Sequence, residues 1–149
     1  MTRTIRRVLD IRYGEVLGYR PLELDLYLPS ADELSPVVVY VHGGGWQRGS
    51  RRDPPPLLEA DFYDQIAAQG LAVAAIDYRL SGEARFPAPL EDVRTAVDWV
   101  RDNAAAYGLE LAVIVSAYAV LGEAGQLVLS LNPTAAPCWP PTGIALALL

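Results

Sequence analysis

Apolar and polar positions fall into distinct stretches along the 149-residue chain. Residues 9–13 and 22–28 read as strands, joined by Gly14-Glu15-Val16-Leu17-Gly18-Tyr19. In the second, Leu22, Leu24, Leu26 and Leu28 alternate with Glu23, Asp25 and Tyr27. That period of two is the pattern of a strand with one face in the core and one in water, so the two strands are expected as an antiparallel edge pair. Residues 29–36 form a polar turn. Residues 36–41, Pro-Val-Val-Val-Tyr-Val, show no alternation, and neither do residues 71–76. Continuous apolar runs of this length fit strands covered on both faces.

The period then changes to that of a helix. Leu58, Phe62 and Ile66 recur at four-residue spacing, with Gln69 three residues on, and predict a helix over residues 57–69, stopped by Gly70. Residues 90–107 predict a second helix, with Val93, Ala96, Val97 and Val100 on one face. Glu91 and Asp92 sit in its first turn, where the helix dipole favours negative charge, and Gly108 ends it. Strand, helix, strand, helix, strand after a β-pair predicts an α/β fold, a mostly parallel sheet with an antiparallel edge pair and flanking helices.

Composition narrows the class. A chain that is 52% hydrophobic and 20% charged suits one domain with a sizeable core. The net charge of −6 argues against a nucleic-acid surface, although Arg48, Arg51 and Arg52 cluster locally. A single cysteine, Cys138, excludes an internal disulfide, and no metal-ligand spacing is present, so no metal or cofactor is expected. The basic start lacks the apolar stretch of a signal peptide. The longest apolar run, residues 111–121, carries Ser116 and Tyr118 and is too short for a bilayer. A cytoplasmic protein is the expectation.

The chemistry centres on His42-Gly43-Gly44-Gly45-Trp46, directly after the apolar strand 36–41. Three consecutive glycines leave backbone amides uncovered, a means of presenting N–H groups to an oxygen that gains negative charge. A plain flexible turn would also suit three glycines. The segments that follow favour the first reading: Trp46-Gln47-Arg48-Gly49-Ser50, then Asp77-Tyr78-Arg79-Leu80, Phe86-Pro87-Ala88, Asp92 and Trp99. In this order, with Leu24-Asp25-Leu26-Tyr27-Leu28-Pro29 ahead of them, they resemble the hormone-sensitive-lipase-like esterase branch of the α/β-hydrolase superfamily. The resemblance runs from about residue 5 to residue 109. It implies a carboxylic-ester hydrolase acting on small-molecule esters, with Gly43, Gly44 and Gly45 as oxyanion-hole donors and His42 and Trp46 supporting the motif.

The rest of that machinery does not follow. An α/β-hydrolase carries its nucleophile on a G-x-S-x-G elbow, followed in the chain by an acid and a histidine. Ser30, Ser35, Ser50, Ser81, Ser116 and Ser130 all lack the flanking glycines. His42 is the one histidine and precedes any elbow. Gly122, Glu123, Ala124 and Gly125 would become G-E-S-A-G with one serine inserted, and read as a damaged elbow with a helix starting near Leu127. The chain is thus expected as an incomplete α/β-hydrolase domain over residues 1–131 and an irregular Pro/Ala-rich, apolar tail over 132–149, truncated and inactive. An exposed sheet edge would favour self-association.

Individual residues also have plainer readings. His42 suits a structural role, ordering the glycine loop by hydrogen bonding. Asp77, at a strand end, suits a local pairing such as one with Arg79, and Arg51 and Arg52 suit a solvated loop. Trp46 is expected to pack beside the loop, Trp99 to pack on its helix, Ser116 to be a buried hydroxyl, and Cys138 to be inert. Two other functions remain open. One is a non-catalytic fragment that binds a partner or ligand. The other is a dinucleotide-binding oxidoreductase, with Gly43 and Gly45 after one strand and Asp77 at the end of the next. Arg48 at the third glycine position counts against the latter.

Overall fold

Alternation and continuous apolar runs both become strands in the computed structural model, which describes residues 4–30, 34–54 and 60–110. The elements are β1 (Ile5–Gly14), β2 (Leu22–Pro29), β3 (Ser35–Val41), α1 (Phe62–Ala68), β4 (Ala72–Ile76), α2 (Ala88–Tyr107) and β5 (Leu109–Glu110). The strands form one sheet in the order β1-β2-β4-β3-β5. β1 and β2 pair antiparallel, as the edge pair predicts. β3 pairs parallel with β4 on one side and β5 on the other, while β2 meets β4 antiparallel. Among the described residues the sheet is therefore mixed. It has the α/β architecture the period changes imply.

The sheet separates two cores. Leu22, Leu24, Leu26, Ala72, Ala74 and Ile76 face α2, where Val93, Ala96 and Val100 supply the apolar stripe. Tyr27, Val73 and Ala75 face the other way, onto Tyr63 and Ala67 of α1. This corrects the reading of β2 as half-solvated. It is an interior strand with both faces covered, and Asp25 and Tyr27 are buried with the leucines. The polar-looking face lies under α1 and the loop after β3, neither of which the strand's own pattern reveals.

Helix α1 begins at Phe62, while Leu57 and Leu58 of the longer predicted helix lie outside the described residues. Helix α2 begins two residues earlier than its pattern suggests and ends at Gly108, as expected. Among the described residues no helix is long and apolar enough to cross a membrane.

Candidate functional site

Parallel pairing of β3 and β4 places Val41 beside Ile76, so the residues that follow each strand emerge together. His42 leaves one strand end, and Asp77 and Tyr78 leave the other. Strand C-termini at one end of an α/β sheet are where such folds bind ligands.

Backbone conformation explains the glycines. Gly44 has φ of 123°, and a Cβ there would fall 1.9 Å from the carbonyl oxygen of Arg48. Gly49 has φ of 108°, and its Cβ would meet the Nδ1 of His42 at 2.5 Å. Only glycine fits both places, because the left-handed backbone and the close approach each exclude a side chain. Trp46 also lies at positive φ, 64°, an uncommon conformation for a bulky residue. The loop carries a turn bond from the Gln47 amide to the Gly44 carbonyl at 3.2 Å, and the Ser81 amide donates to the Trp46 carbonyl at 2.7 Å. Among the described residues, no backbone or side-chain acceptor pairs with the amides of Gly43, Gly44 or Gly45, and all three glycines are exposed.

His42 is buried, 1% exposed, and stacks against Tyr78. Its Nδ1 lies 2.8 Å from the Gly43 carbonyl oxygen. A carbonyl only accepts, so this contact requires the Nδ1–H tautomer. The Tyr78 hydroxyl donates to the His42 carbonyl at 2.9 Å. Burial first, then the charges of Tyr40 and Asp77, push that hydroxyl up to about 12, so it remains a donor at neutral pH. Trp46 packs edge-on to the same ring with centroids 5.2 Å apart.

Arg51 departs from the solvated-loop expectation. Its side chain is 9% exposed, and its guanidinium meets Asp25 at 2.9 Å and Glu23 at 3.1 Å, and also Asp10 and Asp77. Its backbone amide donates to Asp77 Oδ1 at 2.7 Å. Asp77 therefore pairs with Arg51, and Arg79 instead makes a forked pair with Asp92 at 2.7–3.1 Å. Arg52, half exposed, reaches Asp25 at 2.8 Å and Asp10 at 2.7 Å. A bulge in β1 brings Asp10 into this group: Leu9 and Asp10 fall between the pairs Val8–Leu26 and Ile11–Leu24. Asp10 takes a φ of 58° there, and its amide donates to Asp25 Oδ1 at 2.8 Å.

Burial opposes the charge on Asp25. The bonds from Arg52, the Asp10 amide and Arg51, with the Arg51 charge, outweigh it and hold the carboxyl below its ordinary range. Burial likewise opposes the Arg51 charge, and Asp25 and Asp77 reverse that effect.

Sequence reasoning missed Arg51, Asp25 and Asp10 as a group, since the partners are 15 to 41 residues apart. The one available signal was an aspartate inside a leucine-alternating strand. Trp99 packs against the core and Tyr107, as expected. Gly122, Glu123, Ala124 and Gly125, like Ser116 and Cys138, lie outside the described residues.

Comparison with known proteins follows the same pattern. The BD-FAE family model matches residues 24–123. The chain is 42% identical over 93 residues to carboxylesterase NlhH of Mycobacterium tuberculosis, covering 61% of this chain and 28% of that protein. It is 36% identical over 74 residues to esterase LipC of the same species, covering 50% of this chain and 17% of LipC. Among solved structures, an esterase of Pyrobaculum calidifontis superposes with a TM-score of 0.53 at 32% identity, covering 71% of this chain and 32% of that one. The chain thus spans less than a third of NlhH and of LipC.

Proposed function

The chain belongs to the BD-FAE family, in the hormone-sensitive-lipase-like branch of the α/β-hydrolases, and from that membership we propose that its glycine loop is the oxyanion-binding half of a carboxylic-ester hydrolase site. The observation that carries this reading is the set of exposed amides of Gly43, Gly44 and Gly45 at the end of β3, which have no partner among the described residues. When a serine oxygen adds to an ester carbonyl carbon, the carbonyl electron pair moves onto oxygen. Amide donors fixed at that oxygen stabilise the anion, and losing one costs about 10²–10³ in rate. The Pyrobaculum and mycobacterial esterases support ester bonds as the substrate class.

A polypeptide of this sequence alone is proposed to turn over no ester. The serine hydroxyl needs a base to take its proton. The single histidine, His42, has its ring buried against Tyr78 and its Nδ1–H given to the Gly43 carbonyl. It orders the loop and has no part in proton transfer.

Two measurements test the proposal. Purified protein should release p-nitrophenol from p-nitrophenyl acetate or butyrate at the buffer rate. Robust hydrolysis abolished by Gly44→Pro would overturn the claim of inactivity. Residues 42–50 grafted into an active BD-FAE esterase, in place of its own loop, should preserve hydrolysis, and Gly44→Pro in the graft should lower kcat by at least about 10². A graft that is folded but dead, or indifferent to the proline, would sink the oxyanion reading.

A further inference from the structure

We propose that Arg51 is a positioning residue that sets the direction of the Gly43–Gly45 amides by gripping the far end of their loop. The inference rests on the oxyanion reading of that loop, and its test does not depend on hydrolysis. Within residues 43–50 the Gln47 amide donates to the Gly44 carbonyl at 3.2 Å, the Ser81 amide holds the Trp46 carbonyl from outside at 2.7 Å, and the glycine amides have no partner among the described residues. The glycine segment therefore takes its direction from the anchors around it, at Trp46, where the ring also packs on Tyr78, and at the two ends of the loop. At the near end, His42 is fixed by Tyr78 through ring stacking and the hydroxyl bond.

At the far end, Asp77 takes both the backbone amide and the guanidinium of Arg51. Holding one residue by main chain and side chain together fixes where the chain passes and which way it points. The remaining guanidinium bonds go to Asp10 on β1 and to Glu23 and Asp25 on β2, so the clamp ties the loop to the strands beside it. The path from clamp to amides is short. Gly49, two residues before Arg51, lies where any Cβ would be 2.5 Å from His42 Nδ1 and 2.6 Å from the Gly43 carbonyl oxygen. With Arg51 fixed, Gly49 is held close against the His42–Gly43 unit, which links the clamp to the peptide planes that follow.

Charge alone does not do this. Arg52 sits next in the chain and also bonds Asp10 and Asp25, but it is 50% exposed and makes no bond to Asp77. A planar fork with donors on several edges can serve Asp25, Asp77 and Glu23 together, whereas an ammonium cannot span them.

The test compares backbone ¹⁵N order parameters in the full chain and in Arg51→Lys, Arg51→Met and Arg52→Met. The wild type should show rigid values of about 0.85 at Gly43, Gly44, Gly45 and Gly49. Arg51→Lys, which keeps the charge and so the fold, should drop these below about 0.6 while amides of α2 stay rigid. Arg52→Met should leave both sets unchanged. Arg51→Met should show the loop loss in full where it folds, and Arg51→Lys stands by itself where it does not. Loop values in Arg51→Lys equal to wild type would overturn the proposal. So would an equal loss in Arg52→Met, or a loss spread evenly over loop and α2. A dead graft alongside a loosened Arg51→Lys loop would sink the oxyanion reading and leave the clamp standing.

Discussion

The ring of Tyr78 lies flat against the imidazole of His42, with centroids 4.4 Å apart and planes 13° from parallel, and its hydroxyl donates to the His42 carbonyl at 2.9 Å. One side chain thus fixes both the ring and the main chain at the point where β3 gives way to the glycine loop. Tyr78→Phe keeps the stack and strips the carbonyl of that donor, a loss of about 1–3 kcal/mol for a buried group. Tyr78→Ala also empties a fully buried ring site and should cost about 3–5 kcal/mol. Urea midpoints at unchanged m-value give both figures. A phenylalanine variant as unstable as the alanine variant would show that the hydroxyl dominates.

Adjacent glycines in the motif should respond very differently to one methyl group. At Gly44 a Cβ meets the Arg48 carbonyl oxygen at 1.9 Å and the backbone is left-handed, whereas at Gly43 nothing lies within 4 Å and φ is not positive. Gly44→Ala is expected to cost about 1–3 kcal/mol or to displace the loop. Gly43→Ala should stay within about 0.5 kcal/mol of the parent, since it meets neither obstacle. Thermal unfolding of the two variants side by side checks the contrast, and equal shifts would contradict it.

What the sequence disclosed was whatever rests on short-range pattern. The valine run of β3, the apolar run of β4 and the four-residue stripe of α2 announce themselves within a dozen residues, and so does the glycine motif. The ionic group beneath the loop does not. Asp25 alternates with leucines and looks solvent-facing, and Arg51 sits in an Arg/Pro-rich stretch that looks like surface. Each is buried because partners distant in sequence neutralise it, the other 26 residues away among them. Periodicity reports which face is apolar, and carries no information about a buried face that is polar and paired. The same blindness misassigned Asp77 to Arg79, its sequence neighbour, when β3–β4 pairing puts it beside Arg51.

Two forked Arg–Asp pairs differ in burial and should differ in worth. Arg79 and Asp92 are 12% and 3% exposed, and Asp92 also accepts the Arg79 amide at 2.8 Å. Arg7 and Asp64 make an equally short fork, at 2.7 and 2.8 Å, but Arg7 is 56% exposed. Removing one partner of a buried pair strands a charge, so Asp92→Ala should cost about 3–5 kcal/mol. Asp64→Ala should cost no more than about 1 kcal/mol, because water and salt screen the exposed guanidinium. Urea denaturation in low salt and high salt separates them: the Asp64 effect should shrink with salt and the Asp92 effect should persist.

Acid should weaken the fold through Asp25 in particular. Its carboxyl is held below its ordinary value of 3.8 in the folded chain, so the folded state binds its proton less readily than the unfolded state does. The stabilisation is fully present above the unfolded value and drains away as pH falls through it toward the lower folded value. Arg51 and Arg52 are raised and stay charged throughout, so in their pairs with Asp25 it is the carboxylate that titrates. Asp25→Asn removes the titrating group and leaves Arg51 short of a partner. The wild type should exceed this variant in stability by a constant margin between roughly pH 5 and 8, and the margin should narrow below about pH 4. Glu83 is depressed as well: burial opposes its charge, and Arg20 and the Leu80 amide overcome this, so the variant should keep an acid limb of its own. Urea unfolding across this range is the check, and a margin that stays constant to pH 2.5 would mean that Asp25 is not the group whose protonation loosens the loop from the strands.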